Sequence, residues 1–316
     1  MNQYLVLDFG GTFTKYALMD QTGVVLRRGK VASACGSMEQ MLASVAPLRE
    51  QFAGQYEGVA VSMPGRINTR TGIAHTGGFF TFVNDAPVQR ALEEVFSVPV
   101  TIANDGKCAA NAEAWSGALA DVEDGVVIVL GTGTGGGVVL GHQVRLGCTC
   151  GAGELSFLAA DLLTLQDGIP SLDVNFRSIW ADTMSANGLL KLYGVQKGHD
   201  GPLPGVDGLA FFAAYDSGEP EAAAALEAFG RYAAAGIYSM QAVLDVQRIA
   251  IGGGISARPE VTQVIRQSLD RQYAVMPFTA FGKPEVVTCR YGSDANLIGA
   301  LAFHLERTGV ALHPNH

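Results

Sequence analysis

Long apolar runs, basic tracts and an abundance of charge are all missing from this sequence. No stretch of side chains reaches the length that spans a bilayer, so no transmembrane helix is expected. Charged residues make up only 16% of the chain, and the balance is acidic, with 21 Lys and Arg against 30 Asp and Glu for a formal net charge of -9. An acidic chain without a basic run lacks the electrostatic footprint of a protein that binds nucleic acid or an anionic membrane, and neither is expected as a partner. The five cysteines, Cys35, Cys108, Cys148, Cys150 and Cys289, are odd in number and widely scattered, which is no disulfide framework. No basic segment with an apolar follower precedes the first apolar stretch, so no signal peptide is read and a cytoplasmic protein is expected.

What the chain does have is glycine, 40 in 316 residues, with 48% hydrophobic side chains. That length suits two lobes better than one core. Two glycine-rich turns share one plan. In the first, Leu5-Val6-Leu7-Asp8-Phe9 leads to Gly10-Gly11-Thr12 and a second apolar stretch. In the second, Val127-Ile128-Val129-Leu130 leads to Gly131-Thr132-Gly133-Thr134-Gly135-Gly136-Gly137 and then Val138-Val139-Leu140. Each reads as strand, Gly/Thr turn, strand. Such turns present backbone N–H groups and hydroxyls to phosphate oxygens. The second also satisfies the bare Gly-x-Gly-x-x-Gly pattern, but a dinucleotide fingerprint must open a helix and this one opens a β-branched strand. No glycine run leads into Gly-Lys-Ser/Thr, so a Walker A loop is absent. A third run, Gly252-Gly253-Gly254, closes a strand at 248–251.

Apolar spacing predicts helices over 37–54, 86–96, 106–118, 219–244, 259–269 and 294–307, another near 179–193, and strands over 58–62, 98–103 and 286–288. The stretch 158–205 mixes Gly, Pro and Asp and carries no motif. Strand 98–103 delivers Asn104-Asp105 to a helix start. There Asn104 is a candidate cap, and the unpaired N–H groups favour a carboxylate. Taken alone, Asp105 is either a capping residue or a base placed at a strand end, where α/β sites lie. Asp8 beside the first turn is either a turn aspartate or a Mg²⁺ ligand. Glu154, directly after Gly151-Ala152-Gly153, is either a loop residue or a contact for sugar hydroxyls. Cys148-Thr149-Cys150 with His142 supplies three of the four ligands zinc requires, and reads as ordinary thiols.

With these residues placed, the sequence resembles the ROK family of sugar kinases (repressor, open reading frame, kinase), within the actin/hexokinase/Hsp70 ATPase superfamily. LDFGGTFTKYALMD resembles its first phosphate motif and VAVSMPGRIN the strand before its sugar loop. VTIANDGKCAANAE resembles its Glu-Asn-Asp-x-Asn segment, with Ala103 in place of the usual Glu. VLGTGTGGGVVL resembles the second phosphate motif, GAGELSFL the Ala-Gly-Glu-x-Gly-His motif, IAIGGGIS the adenosine motif and GSDANLIGAL the closing helix.

The resemblance implies an α/β fold, two-lobed and actin-like (ribonuclease H-like), with duplicated mixed sheets flanked by helices. The expected lobes are 1–118 with a returning helix at 294–316, and 119–293. It implies ATP and Mg²⁺ as cofactors, a small-molecule sugar as substrate and a homodimer. By position, Asp105 matches the catalytic base. Gly65, Thr76, Gly77, Gly78, Asn104, Glu154 and Phe157 fall at the sugar. Asp8, Gly10, Gly11, Thr12, Thr132, Gly133, Thr134, Gly253 and Gly254 fall at ATP, Asp8 by way of Mg²⁺ directly or through water.

Phe157 stands where the family has a His that serves zinc and sugar, and the family's cysteine-rich segment is missing, so no structural zinc is expected. HTGGFFTFVND, FFAAYDSGEP and YGSDANLIGA resemble the zinc-less β-glucoside kinases in particular. An apolar anomeric side suits an aglycone or a second sugar. The implied reaction is 6-phosphorylation of a hexose or β-glucoside. N-acetylmannosamine kinase or fructokinase are alternatives within the family, and a non-catalytic sugar-sensing regulator is the alternative of another class.

Overall fold

A computed structural model describes residues 2–160, 179–276 and 280–311. The chain opens with strands β1 (Gln3–Phe9), β2 (Phe13–Asp20) and β3 (Val25–Ala32), then helices α1 (Met38–Val45) and α2 (Pro47–Gln51). Strand β4 (Gly58–Met63) leads to three small strands, β5 (Ile67–Asn68), β6 (Ile73–Thr76) and β7 (Asn84–Ala86). Helix α3 (Val88–Phe96), strand β8 (Val100–Asn104) and helix α4 (Asp105–Ser116) follow. Next come β9 (Gly125–Leu130), β10 (Thr134–Leu140) and β11 (Gln143–Val144), and then α5 (Trp180–Thr183), α6 (Ala186–Gln196), α7 (Gly208–Asp216) and α8 (Pro220–Leu244). The chain finishes with β12 (Arg248–Gly252), α9 (Pro259–Val275), β13 (Glu285–Thr288) and α10 (Ala295–Thr308).

Two five-stranded sheets carry these elements, ordered β3-β2-β1-β4-β8 and β11-β10-β9-β12-β13. The orders correspond strand for strand, and each sheet mixes antiparallel and parallel pairs. In the first, β1 runs antiparallel to β2 and parallel to β4. In the second, β12 runs parallel to both β9 and β13, while β10 and β11 are antiparallel. The duplicated mixed sheets expected from the sequence are therefore present. By packing, the chain divides into one unit of Met1–Asp121, Gly137–Gly153 and Ser293–His316, and another of Val122–Gly136 and Glu154–Gly292. The chain passes from one unit to the other inside β10, a passage not drawn in the lobes expected from the sequence.

In the first unit β1 is buried along almost its whole length, as a central strand covered on both faces must be. Leu5, Leu7 and Phe9 pack with Val59 and Val61 of β4, and with Met41, Val45, Leu92 and Phe96 from α1 and α3. The predicted helix over 37–54 is interrupted. Ser37 caps α1 by accepting from Gln40 N–H at 3.2 Å, and Pro47, which has no N–H to give the Ala43 carbonyl, starts α2 instead of continuing α1. The helix predicted to begin at 86 begins at Val88, because 84–86 pair with β6. Of the unmotifed stretch 158–205, residues 161–178 lie outside the described residues; α5 and α6 occupy the region of the helix predicted near 179–193.

Helix α10 buries Leu297, Ile298, Leu301, Phe303, His304 and Leu305. His304 is 1% exposed, meets Thr101 Oγ1 at 3.1 Å and lies edge-on to Tyr4. Burial lowers its pKa to about 4. Between its ordinary range near 6.5 and that value, the unfolded chain takes up a proton that the folded chain refuses, so stability falls on acidification. A loss of about 2 kcal/mol between pH 7 and pH 5 is expected from this group. Urea unfolding at the two pH values checks it, and His304→Gln should remove most of the difference.

Candidate active site

Asp8 is the penultimate residue of β1 and pairs in register with Ser62 of β4. It is 7% exposed. Its Oδ1 accepts from Ser62 Oγ at 2.9 Å and from Asn296 Nδ2 of α10 at 3.1 Å, while Oδ2 lies 3.9 Å from Lys15 Nζ. Burial pushes the Asp8 carboxyl above the usual carboxylate range, against the two hydrogen bonds and the lysine charge. A cation at Oδ2 would relieve that cost.

The first glycine turn follows directly. Gly10 N–H donates to the Phe13 carbonyl at 3.2 Å, closing the turn. The three turn carbonyls face the segment after β3. Ser33 Oγ donates to Gly10 at 2.6 Å, Cys35 Sγ to Gly11 at 3.5 Å and Ser33 N–H to Thr12 at 3.1 Å. Among the described residues no acceptor meets the N–H groups of Gly11 and Thr12, and Thr12 is exposed. This arrangement holds the oxygens back and presents donors, as an anion site requires.

Asp105 opens α4. Asn104, the cap, accepts from Lys107 N–H at 3.1 Å through Oδ1. Its Nδ2 donates both to Asp105 Oδ1 and to the Gly65 carbonyl, each at 2.9 Å. Gly106 N–H adds a second bond to Asp105 Oδ1 at 2.8 Å. The carboxylate is thus fixed at a helix N-terminus, half-buried. Gly65 has φ +102°, and a side chain there would strike the Thr76 carbonyl. Arg66 N–H donates to Thr76 Oγ1 at 2.9 Å. Gly78, at φ +59°, packs against Pro64. The structure therefore brings Gly65, Thr76, Gly77, Gly78, Asn104 and Asp105 together in one hydrogen-bonded neighbourhood.

Cys108 is wholly buried in the same helix. Burial, then the charges of Asp8 and Asp105, push its thiol well up, opposed by a hydrogen bond with Ser62 and the charge of Lys107. Ser62, Asn296 and Lys107 are the members of this cluster that the sequence reading missed. Lys107 is 1% exposed and occupies the second Asn position of the Glu-Asn-Asp-x-Asn segment.

In the other unit the second glycine turn is closed by Gly131 N–H donating to the Gly133 carbonyl at 3.0 Å, and Ala186 N–H donates to the Gly131 carbonyl at 2.9 Å. Thr132 is exposed. Thr134, expected among the phosphate contacts, is instead 2% exposed, with its hydroxyl held by the carbonyls of Trp180 at 3.1 Å and Met184 at 2.9 Å. Its side chain anchors the turn from behind. Thr134→Val should cost about 1–3 kcal/mol, because carbonyls at that site lose a buried donor; the shift in denaturation midpoint reads it. Gly253, at φ +92°, leaves no room for a side chain against the Leu130 backbone, and Gly254 is exposed at the start of a 3-10 turn reaching Ala257. Glu154 precedes a 3-10 turn over Leu155–Phe157, and Phe157 is 73% exposed. Among the described residues no group of three or more His, Cys, Asp or Glu side chains is arranged to hold a metal. For Mg²⁺, which keeps most of its waters and takes one or two carboxylates with phosphate oxygens, Asp8 is a fitting donor.

Comparison with known proteins agrees with this architecture. A β-glucoside kinase of Klebsiella pneumoniae is 28% identical over 301 residues, covering 95% of each chain. An N-acetyl-D-glucosamine kinase of Yersinia pseudotuberculosis is 26% identical, over 96% of this chain and 99% of its own. The crystal structure of a ROK hexokinase from Thermus thermophilus superposes with a TM-score of 0.79 at 25% identity, over 97% of this chain and 99% of the other. Among the described residues no helix is long and apolar enough to cross a membrane. The sequence pattern of the ROK family matches residues 4–307, and the chain belongs to that family.

Proposed function

We propose that this protein is an ATP-dependent sugar kinase that phosphorylates the 6-hydroxyl of a hexose or β-glucoside, acting in the cytoplasm as a homodimer. The observation that carries the reading is the Asp105 carboxylate, fixed through Oδ1 by Asn104 and Gly106 in the neighbourhood of Gly65 and the 76–78 loop. A carboxylate so held accepts the proton of a sugar hydroxyl as that oxygen attacks phosphorus. Asn104, Gly65, Thr76, Gly77, Gly78, Glu154 and Phe157 are the proposed sugar contacts. Gly10, Gly11 and Thr12 bind phosphate oxygens through donors, as do Thr132 and Gly133, while Gly253 and Gly254 face the adenosine. Asp8 would hold Mg²⁺, which when bound neutralises charge on the phosphate oxygens. The lobe assignment follows the sequence, 1–118 with 294–316 and 119–293. The β-glucoside kinase of K. pneumoniae supports the substrate class.

A coupled ADP-release assay over glucose, N-acetylmannosamine, fructose, allose, cellobiose and gentiobiose tests the proposal. Release that depends on one of these sugars supports it. Tight sugar binding without turnover makes the protein a sugar sensor instead.

A further inference from the structure

The loop between β6 and β7 holds three phenylalanines with different fates. Phe80 is fully buried and Phe82 partly so, but Phe79 is 60% exposed. The loop is short and tied at several points. Its base pairs Ala74 with Ala86 and Thr76 with Asn84, and His75 Nδ1 lies 2.5 Å from Asp85 Oδ1 between those pairs. Phe80 N–H donates to the Gly77 carbonyl at 3.0 Å, and Val83 N–H to the Phe80 carbonyl at 2.9 Å. Gly78 is pinned against Pro64. The exposed ring is therefore held out by a fixed loop. It rests on the first glycine turn: a methyl group placed on Gly11 would lie 3.2 Å from the Phe79 ring. An apolar ring thus borders Gly11, within the turn whose N–H groups at Gly11 and Thr12 meet no acceptor among the described residues.

We propose that Phe79 is a specificity-determining residue that favours a sugar's primary alcohol over water as acceptor at the first glycine turn. This rests on the kinase reading above. With a sugar, the acceptor oxygen bonds to the γ-phosphorus, the bond from that phosphorus to the β,γ-bridging oxygen breaks, ADP leaves and the acceptor's proton passes to Asp105. With water as acceptor the same exchange gives ADP and inorganic phosphate. A hydrated turn would allow both. The ring denies water its hydrogen-bond partners along one wall, and packs against the CH₂ that carries a primary hydroxyl.

The test is the ratio of inorganic phosphate to sugar phosphate formed from ATP, in the parent protein and in Phe79→Ala, Phe79→Gln and Phe79→Leu, with ATP affinity measured by calorimetry alongside. Phe79→Ala and Phe79→Gln should raise the ratio about tenfold or more, the size of a lost methylene-scale discrimination, with ATP affinity unchanged. Phe79→Leu should restore most of the parent ratio. A ratio in Phe79→Ala within about twofold of the parent overturns the assignment, as does an equal fall of both products, which is what a merely structural ring would give. If the parent makes no sugar phosphate from any sugar of the panel, the kinase reading itself fails and the assignment with it.

Discussion

Asp105→Asn is expected to lower kcat for sugar phosphorylation by about 10²–10⁴-fold while the KM for ATP stays within about twofold. The substitution keeps the shape of the side chain. Asn104 Nδ2 and the Gly106 N–H, which now meet Asp105 Oδ1, meet a carbonyl oxygen equally well. What disappears is an oxygen able to take a proton, so the loss falls on the chemical step. The N-terminus of α4 remains capped by Asn104, so the melting temperature should change little. Steady-state kinetics with saturating sugar check this. A kcat within about threefold of the parent would remove Asp105 from the role of base.

Gly65→Ala should be strongly damaging to the first unit. Backbone at φ +102° is strained for any residue with a side chain, and the added carbon collides with the Thr76 carbonyl, which is backbone and cannot rotate away. Strain and overpacking together predict a loss of about 2–4 kcal/mol of stability. Relief requires the 76–78 loop to retreat, which also disturbs the Gly65 carbonyl that orients Asn104. The KM for sugar should therefore rise by about tenfold or more, with the KM for ATP much less affected. Guanidinium unfolding and sugar titrations read the two effects separately, and an unchanged sugar KM would sever the loop from the substrate.

The two glycine turns and the strands beside them were legible because their signals are local: an apolar run, a Gly/Thr turn and a second apolar run lie within about fifteen residues. Asp105 was legible for the same reason, with the strand, the cap and the carboxylate contiguous. The small sheet of β5, β6 and β7 was missed. Its strands have two, four and three residues, too short for an alternating pattern to register. Helix α7 was also missed, although Asp207 accepts from Ala210 N–H at its start, a cap visible in the sequence. Pro47 was likewise visible and should have divided the helix predicted over 37–54. Asn296 had no such signal. It reaches Asp8 from 288 positions away, a pairing that only the folded sheet and helix create. Thr134 shows the converse limit: its place in the motif suggested an outward hydroxyl, and the Trp180 and Met184 carbonyls, distant in sequence, hold it inward.

That late arrival of α10 has a consequence for biosynthesis. The helix packs on β1, β4, β8 and α4, all made far earlier, and it carries the donor that steadies Asp8. A nascent chain emerging from the ribosome must keep that sheet surface uncovered until α10, Ala295–Thr308, has been made. Quality control therefore meets this unit as an unfinished client until that helix emerges, and a chain broken off before Ala295 leaves β1, β4 and β8 without their cover.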